Sequence, residues 1–210
     1  MLSVICPIYN EEEYINQCIE SILMQDYPKN DLEILFVDGM SKDKTRDIVK
    51  EYSEKYPFIH LLDNPKKIVP CAMNIGIKAS RGDIIIRLDA HANYEKNYFS
   101  VLSHRLIELG AENVGVVCKT DVLNKTPKTF AIREVLSNKF GVGNSIFRTG
   151  VDKVMEVDTV PFGCWRRDVF DKYGLYDERL IRNQDFELNY RIRKGSGRIF
   201  IVPDSNCTYY

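Results

Sequence analysis

Leu2-Ser-Val-Ile-Cys-Pro-Ile8 is an apolar run that gives way to polar residues at Tyr9-Asn-Glu11. A short apolar run rich in β-branched side chains and bounded by polar residues is typical of a strand buried on both faces. Apolar residues then recur at helical spacing, at Ile15, Cys18, Ile19, Ile22 and Leu23. Asn10 and Glu13 have the spacing of a capping box, so we expect an amphipathic helix to begin near them. A buried strand followed by such a helix is the repeating unit of a parallel α/β sheet.

The same alternation continues along the chain. Further apolar runs predict strands at residues 32–37, 59–62, 83–88 and 114–118, with helical periodicity between them around 48–56, 70–79 and 98–109. This alternation predicts an α/β fold with a mostly parallel central sheet, right-handed crossovers and flanking helices. After residue 118 the regular alternation of strands and helices ends. In the remaining residues we expect strands at 155–160 and 199–202 and helices at 130–136, 166–173 and 185–194.

Composition and charge narrow the class of protein. With 210 residues and 44% hydrophobic content, the chain can bury one sizeable core, and we expect a single domain. Its 29 basic and 30 acidic side chains nearly cancel, so we expect no nucleic acid partner. The six cysteines form no CxxC pair, which is typical of free thiols in a reducing compartment rather than of disulfides or a zinc site.

The ends of the sequence bear on its location in the cell. The first residues enter an apolar strand without a basic signal region, and no run of about eighteen apolar residues occurs anywhere. We therefore expect a cytoplasmic protein. Because the sequence stops directly after a predicted strand, we also expect a fragment of a longer chain. Residues outside it could provide membrane association at the inner face of the plasma membrane.

Acidic residues follow several predicted strands. In open parallel sheets, ligands bind outside the carboxyl ends of the strands, where this chain places Glu11, Asp38 and Asp89. The chain has neither a GxGxxG nor a GxxxxGK motif, so a phosphate group must be held in another way. A divalent cation bound by an acidic residue at a strand end could hold the phosphate, since such a cation can bridge the oxygens of a diphosphate.

Five segments, taken in order, resemble family 2 glycosyltransferases of the GT-A fold. They are Cys6-Pro-Ile-Tyr-Asn-Glu-Glu12, Val37-Asp-Gly-Met-Ser-Lys-Asp-Lys-Thr45, Asn74-Ile-Gly76 with Ala79-Ser-Arg-Gly-Asp83, Leu88-Asp-Ala-His-Ala92 and Asn183-Gln-Asp-Phe-Glu-Leu188. The last two, with Asn64-Pro-Lys-Lys-Ile-Val-Pro70, are most similar to the branch that includes succinoglycan-type exopolysaccharide enzymes. Together the segments span nearly the whole chain, and their order and spacing make the resemblance specific.

The resemblance implies an inverting, hexosyltransferase-type glycosyltransferase that acts in polysaccharide or glycan biosynthesis. The implied donor is a nucleoside-diphosphate sugar, with UDP as the expected nucleotide, and the implied acceptor is the hydroxyl of a saccharide or a lipid-linked saccharide. The implied cofactor is a divalent cation, Mn²⁺ or Mg²⁺. The single domain, 1–210, would divide into a nucleotide-sugar and metal-binding half, 1–118, and an acceptor and catalytic half, 119–210.

The resemblance also assigns donor-side residues. They are Pro7, Tyr9, Asn10, Glu11, Asp38, Ser41, Asn74, Asp89 and Ala90. Asp38 would meet the edge of the nucleobase, although Asp-Gly is also ordinary turn chemistry. Asn10 and Glu11 would serve equally as helix caps. Met73 stands where many relatives carry a basic residue, and Lys66 or Lys67 could supply that charge instead.

Asp89 and His91 match the metal motif usually written Asp-x-Asp. His91 replaces the second acid, and an imidazole suits Mn²⁺ better than Mg²⁺. The resemblance therefore implies that Asp89 and His91 are metal ligands. A histidine is also common as a residue with no ligand role, and that alternative stays open.

Asp185 matches the catalytic base, which accepts the proton of the acceptor hydroxyl as its oxygen attacks the anomeric carbon. It equally suits a helix start, where the macrodipole favours a carboxylate. Gln184 stands where the family has a Glu, which leaves the orientation of the acceptor open. The resemblance places Phe162, Gly163, Trp165, Gln184 and Arg191 on the acceptor side. Trp165 could stack on a sugar or anchor the core.

Two other functions remain possible from the sequence. A sugar nucleotidyltransferase shares the general architecture, but it normally carries a glycine-rich basic loop after its first strand, which residues 6–13 lack. A nucleotide-sugar-binding module without transfer activity would account for Gln184 and His91.

Overall fold

The computed structural model describes residues 1–122, 124, 126–143 and 145–209 as a mixed β-sheet with helices on both faces. The strands are β1 (Leu2–Ile8), β2 (Leu32–Asp38), β3 (Ile59–Asp63), β4 (Ile84–Arg87), β5 (Ala92–Tyr94), β6 (Asn113–Thr120), β7 (Met155–Glu156), β8 (Cys164–Arg166) and β9 (Ile199–Tyr209). The helices are α1 (Ile15–Leu23), α2 (Thr45–Lys55), α3 (Val69–Ala79), α4 (Tyr98–Glu108), α5 (Pro127–Ser137), α6 (Lys139–Val142), α7 (Ile146–Thr149), α8 (Asp168–Tyr173) and α9 (Gln184–Lys194). Within the described ranges, no helix is long and apolar enough to span a lipid bilayer.

The first four strands form the expected parallel half of the sheet. β1 pairs in parallel with β2 on one side and with β4 on the other, and β2 pairs in parallel with β3. Asp38 lies opposite Ile8 of β1 and Asp63 of β3, so these three strands end level with one another. The polar residues that follow them therefore gather at one edge of the sheet.

The second half of the sheet is mixed. The strand order is β3-β2-β1-β4-β8-β6-β9-β5, and β7 pairs with β9. β8 runs antiparallel to both β4 and β6, whereas β6 and β9 are parallel. The predicted strand 155–160 is limited to β7, and residues 164–166, which overlap the predicted helix 166–173, form β8 instead. Strands as short as β5 and β8 carry too few residues for a periodic signal.

The predicted capping box at Asn10 and Glu13 is wrong. α1 begins after Tyr14, and no side-chain hydrogen bond caps it in the described part of the chain. Asn10 has a positive φ of 55°, and its side-chain oxygen accepts a hydrogen bond from the amide of Lys42 at 2.9 Å. Asn10 therefore joins the loop after β1 to the loop after β2.

The sheet separates two apolar clusters. Because successive strand residues face opposite sides, Val4 packs toward α1, α2 and α4, whereas Ile5 packs toward α3, α8 and α9. Trp165, at 1% exposure, belongs to the second cluster. Both faces of β1 are thus covered, as its continuous apolar run predicts.

A left-handed turn leads into β8. Phe162 and Gly163 have φ values of 61° and 44°. A Cβ at Gly163 would collide with the Trp165 ring and lie 2.7 Å from Asn113 Oδ1. Gly163 is therefore required both by its backbone conformation and by the space around it.

We expect Gly163→Ala to destabilise the fold more than Gly110→Ala. Gly110 has a similar φ of 57°, but a Cβ added there would have no neighbouring atom within 4 Å. Its substitution therefore measures backbone strain alone. The additional overpacking at Gly163 should cost about 1–3 kcal/mol. Urea denaturation of both variants measures the difference, and equal midpoints would contradict the packing argument.

Candidate active site

A cavity of about 140 Å³ lies at the edge where β1, β2 and β4 end. Six of the residues that line it are Pro7, Tyr9, Glu11, Arg87, Asp89 and His91. All of these except Arg87 are site residues predicted from the sequence. The cavity therefore brings together four of the nine predicted donor-side residues and the predicted metal ligand His91. It is not lined by Asn10, Asp38, Ser41, Asn74 or Ala90.

Asp38 organises the loop that follows β2. Its carboxylate is fully buried and accepts hydrogen bonds from the Ser41 amide at 3.0 Å, the Ser41 hydroxyl at 2.5 Å and Arg46 Nη1 at 2.5 Å. The Ser41 hydroxyl in turn accepts a hydrogen bond from the Asn10 amide at 2.8 Å. Asp38, Ser41 and Asn10 form one hydrogen-bonded unit, and contact between Asp38 and a nucleobase stays a prediction.

Tyr9 offers an aromatic face beside the cavity. Its side chain is 43% exposed, and Lys67 Nζ lies 5.7 Å from the centre of its ring. Lys67 also lines the cavity, whereas Lys66 forms an ion pair with Glu178 at 2.6 Å. Met73 carries no charge, and Lys66 or Lys67 could supply it instead. Of these two lysines, Lys67 is the one that lines the cavity.

Asp89 is held between β4 and β5. Its amide donates a hydrogen bond to the Tyr94 hydroxyl at 2.7 Å. Oδ1 of its carboxylate lies 3.2 Å from His91 Nδ1, and the same nitrogen lies 3.4 Å from Glu11 Oε1. Nε2 of His91 lies 2.5 Å from the Tyr209 hydroxyl. His91 therefore bridges two carboxylates and a tyrosine.

The requirements of a cation site are partly met here. Carboxylate oxygen and imidazole nitrogen are both suitable ligands for Mn²⁺. Across the described residues, however, no three His, Cys, Asp or Glu side chains are grouped so as to hold an ion. Burial lowers the pKa of His91, but the hydrogen bond to Glu11 and the charge of Asp89 outweigh burial, so this pKa is raised. Asp89 fits as an oxygen ligand, whereas ligation by His91 stays a prediction that requires loss of its Nδ1 proton.

Asp185 is held by Arg87. Asp185 lies in the first turn of α9, and Nη1 of Arg87 donates to both of its carboxylate oxygens at 2.5 Å. The Tyr176 hydroxyl donates to Oδ1 of Asp185 at 3.3 Å. Burial opposes the charge on Arg87, but the negative charge of Asp185 outweighs burial and raises the pKa of Arg87. Arg87 is thus a buried cation whose partner is the predicted base.

Arg87 also connects Asp185 to Asp89. Its Nη2 lies 4.0 Å from Asp89 Oδ2, and its guanidinium lies over the Phe162 ring, 5.6 Å from the ring centre. Phe162 stacks on Tyr209, with 6.0 Å between the ring centres. Asp89 and Asp185 therefore lie near different nitrogens, Nη2 and Nη1, of one guanidinium group.

The predicted acceptor-side residues occupy different environments. The Gly163 carbonyl accepts a hydrogen bond from the Arg87 amide at 3.2 Å, which places Phe162 and Gly163 beside the site. Trp165 is 1% exposed, with 5.8 Å between its ring centre and that of Phe170. From the sequence, Trp165 could stack on a sugar or anchor the core, and its burial matches the role of a core anchor.

Asn74 and Arg191 hold the backbone of the segment that leads to α9. The Asn74 side chain donates to the Tyr176 carbonyl and accepts from the Tyr176 amide, both at 2.9 Å. Arg191 donates to the Tyr173 carbonyl and to the Leu175 carbonyl, the latter at 2.8 Å. Contacts of Asn74 and Arg191 with a ligand stay predictions.

Arg87, Tyr176 and Tyr209 belong to the site but are not among the residues predicted from the sequence. Arg87 does leave a signal, because it is a charge inside an otherwise apolar strand, and a buried charge requires a partner. Tyr176 and Tyr209 leave none, since they reach the site through tertiary packing. Gln184 is buried beside Asp185, and its side-chain oxygen has no hydrogen-bond partner among the described residues.

A parallel half with a cavity at its carboxyl edge, followed by a mixed half that carries Asp185, is the arrangement of the GT-A class of glycosyltransferase folds. The mannosyltransferase PcManGT from Pyrobaculum calidifontis, solved in complex with GDP-Man and Mn²⁺, has a similar structure. The TM-score is 0.75 at 20% sequence identity, and the match covers 99% of this chain and 56% of that one. This likeness confirms the expected GT-A fold.

The chain belongs to glycosyl transferase family 2, whose profile matches residues 3–174. It is 31% identical over 214 residues to the dolichyl N-acetyl-alpha-D-glucosaminyl phosphate 3-beta-D-2,3-diacetamido-2,3-dideoxy-beta-D-glucuronosyltransferase of Methanococcus voltae, and the match covers 100% of this chain. It is 30% identical over 218 residues to the succinoglycan biosynthesis protein ExoA of Rhizobium meliloti (strain 1021), and the match covers 99% of this chain. The chain spans 66% and 62% of these two relatives. The predicted family is confirmed.

We expect Lys67→Ala to weaken the binding of a nucleoside diphosphate about fivefold, or about 1 kcal/mol, because an exposed cation beside the cavity is lost. Lys66→Ala is the matched control, since Lys66 already pairs with Glu178, and it should retain wild-type affinity. Calorimetric titration with UDP measures both. Unchanged affinity in Lys67→Ala would count against a role for this side chain.

Proposed function

We propose that this chain is the catalytic domain of an inverting glycosyltransferase that transfers a hexose-type sugar from a nucleoside-diphosphate sugar to an acceptor hydroxyl. UDP is the first candidate nucleotide. The observation that carries the proposal is the placement of Asp89 and Asp185 near different nitrogens of Arg87, next to the cavity at the strand ends. One carboxylate is then available to the donor side and the other to the acceptor side.

The donor would lie in the cavity at the ends of β1, β2 and β4. The exposed ring of Tyr9 is available to stack on a nucleobase, and Lys67 beside it is available to the diphosphate. Asp89, with His91 once its Nδ1 is deprotonated, would hold a divalent cation. Such a cation, when bound, would neutralise negative charge on the diphosphate as it leaves. The Mn²⁺ in PcManGT supports this part of the proposal.

Asp185 would act as the base. It accepts the proton of the acceptor hydroxyl while the hydroxyl oxygen bonds to the anomeric carbon, and the bond from that carbon to the diphosphate breaks on the opposite face. This single displacement inverts the configuration. Each carboxylate oxygen has two lone pairs, so Asp185 can accept this proton while Arg87 remains bound.

The acceptor would approach from the exposed side of α9. Phe186 and Tyr190 are one helical turn apart, directly after Asp185, and both are largely exposed. Aromatic side chains of this kind give flat surfaces on which a sugar ring can pack. The relatives from Methanococcus voltae and Rhizobium meliloti are named for a dolichyl phosphate sugar and for succinoglycan. They support a saccharide or a lipid-linked saccharide as the acceptor.

We expect Asp185→Asn to bind the donor at least as tightly as the wild-type protein and to lose transfer by about 10²- to 10⁴-fold, the usual contribution of a general base. Asp177→Asn is the matched control, because Asp177 pairs with the exposed Arg179 and should leave transfer unchanged. The assay follows nucleoside-diphosphate release from UDP- and GDP-sugars with Mn²⁺ or Mg²⁺, with and without saccharide acceptors.

The outcomes separate the alternatives. Donor binding without transfer or hydrolysis in the wild-type protein would favour a binding module. Release of pyrophosphate from a nucleoside triphosphate and a sugar phosphate would favour a nucleotidyltransferase. Equal transfer rates in wild type and Asp185→Asn would remove Asp185 as the base.

A further inference from the structure

One edge of the Arg87 guanidinium has no hydrogen-bond acceptor in the described part of the chain. Nη1 binds Asp185, but Nε is buried and has no partner there. Nη2, which shares an edge with Nε, has Asp89 Oδ2 nearby at 4.0 Å, beyond hydrogen-bond distance. The residue is only 5% exposed, and it lines the cavity at the strand ends. A buried donor edge of this kind is costly unless something accepts from it.

Other arginines of the chain use the same edge for two parallel hydrogen bonds to one carboxylate. These pairs are Arg105 with Asp204, Arg179 with Asp177 and Arg191 with Glu187. The planar fork of Nε and Nη2 matches the spacing of carboxylate and phosphate oxygens. Arg87 therefore lines the cavity and carries an unpaired donor edge suited to an oxyanion.

The cavity is lined by side chains of both charges. Glu11 and Asp89 would repel a diphosphate, so cations must offset them. Met73, where the family resemblance suggests a basic residue, is fully buried among apolar side chains. Lys67 is exposed, which leaves Arg87 as a buried cation at the cavity wall.

We propose that Arg87 binds the diphosphate of the donor through its Nε and Nη2 edge while its Nη1 holds Asp185. The inference rests on the proposed function and adds a residue to it. One guanidinium would then touch both the leaving group and the base. It would fix the distance between them and stabilise the negative charge that develops on the diphosphate.

The test compares ligands that do and do not carry the diphosphate. UDP, GDP, inorganic pyrophosphate and uridine are titrated into the whole chain by calorimetry, with EDTA and with Mn²⁺. Arg87→Lys keeps the charge but loses the fork, and we expect it to weaken UDP and pyrophosphate binding about 10- to 100-fold. Uridine binding should not change, which a general disturbance of the fold would not produce.

Arg167→Lys is the matched control. Unlike Arg87, Arg167 donates from Nε, Nη1 and Nη2 within the chain, to the Gly82 carbonyl, the Ile77 carbonyl and the Ser80 hydroxyl, at the opposite end of β4. It should leave the affinity for UDP and the transfer activity unchanged. Thermal melting of both variants reports on folding.

Asp185→Asn supplies a second readout should Arg87→Lys fail to fold. Removing the carboxylate that shares the charge of Arg87 should tighten UDP binding about threefold or more, because the guanidinium then faces one anion instead of two. Two results would overturn this inference and leave the proposed function intact. One is unchanged UDP affinity in Asp185→Asn, and the other is an unchanged ratio of UDP to uridine affinity in folded Arg87→Lys. Failure of the wild-type protein to bind UDP, GDP and pyrophosphate would overturn the proposed function with it.

Discussion

The ion pair between Arg87 and Asp185 is the contact on which the arrangement of the site depends. Arg87 ends β4 in the parallel half of the sheet, and Asp185 lies 98 residues later in the first turn of α9. A charge at 5% exposure is tolerated only when a partner matches it, so the two halves must meet at this point. The distance between the cavity and Asp185 is therefore set by a direct contact across the fold.

Contacts on either side of this pair hold it in place. Asn74 of α3 and Arg191 of α9 bind the backbone of the segment that leads to Asp185, so its path does not depend on neighbouring residues alone. On the other side, the left-handed turn at Phe162 and Gly163 brings an aromatic ring under the guanidinium. Asn74, Arg191 and Phe162, which the family resemblance assigns to the donor and acceptor sides, thus also position the charged groups.

The sequence predicted the parallel half well because β1 and β2 are buried on both faces and α1 has a clear apolar stripe. It predicted the mixed half less well. β8 is only three residues long, and its place between β4 and β6 depends on pairing with distant strands. In the site, strand-end acids were recognisable as motifs, whereas Arg87 belongs to no motif and only its charge within an apolar run marks it. The burial of Trp165 could not be predicted, because an aromatic residue suits both a core and a sugar pocket.

A crystal structure of the protein with UDP and Mn²⁺ is the most direct test of this account. We expect the uracil ring beside Tyr9, the diphosphate within hydrogen-bond distance of Arg87 and anomalous scattering from Mn²⁺ at Asp89. A larger open groove, lined in part by Lys50, His60 and Arg81, provides a competing place on the same molecule. Nucleotide bound in that groove, with no ligand between Tyr9 and Arg87, would contradict the account.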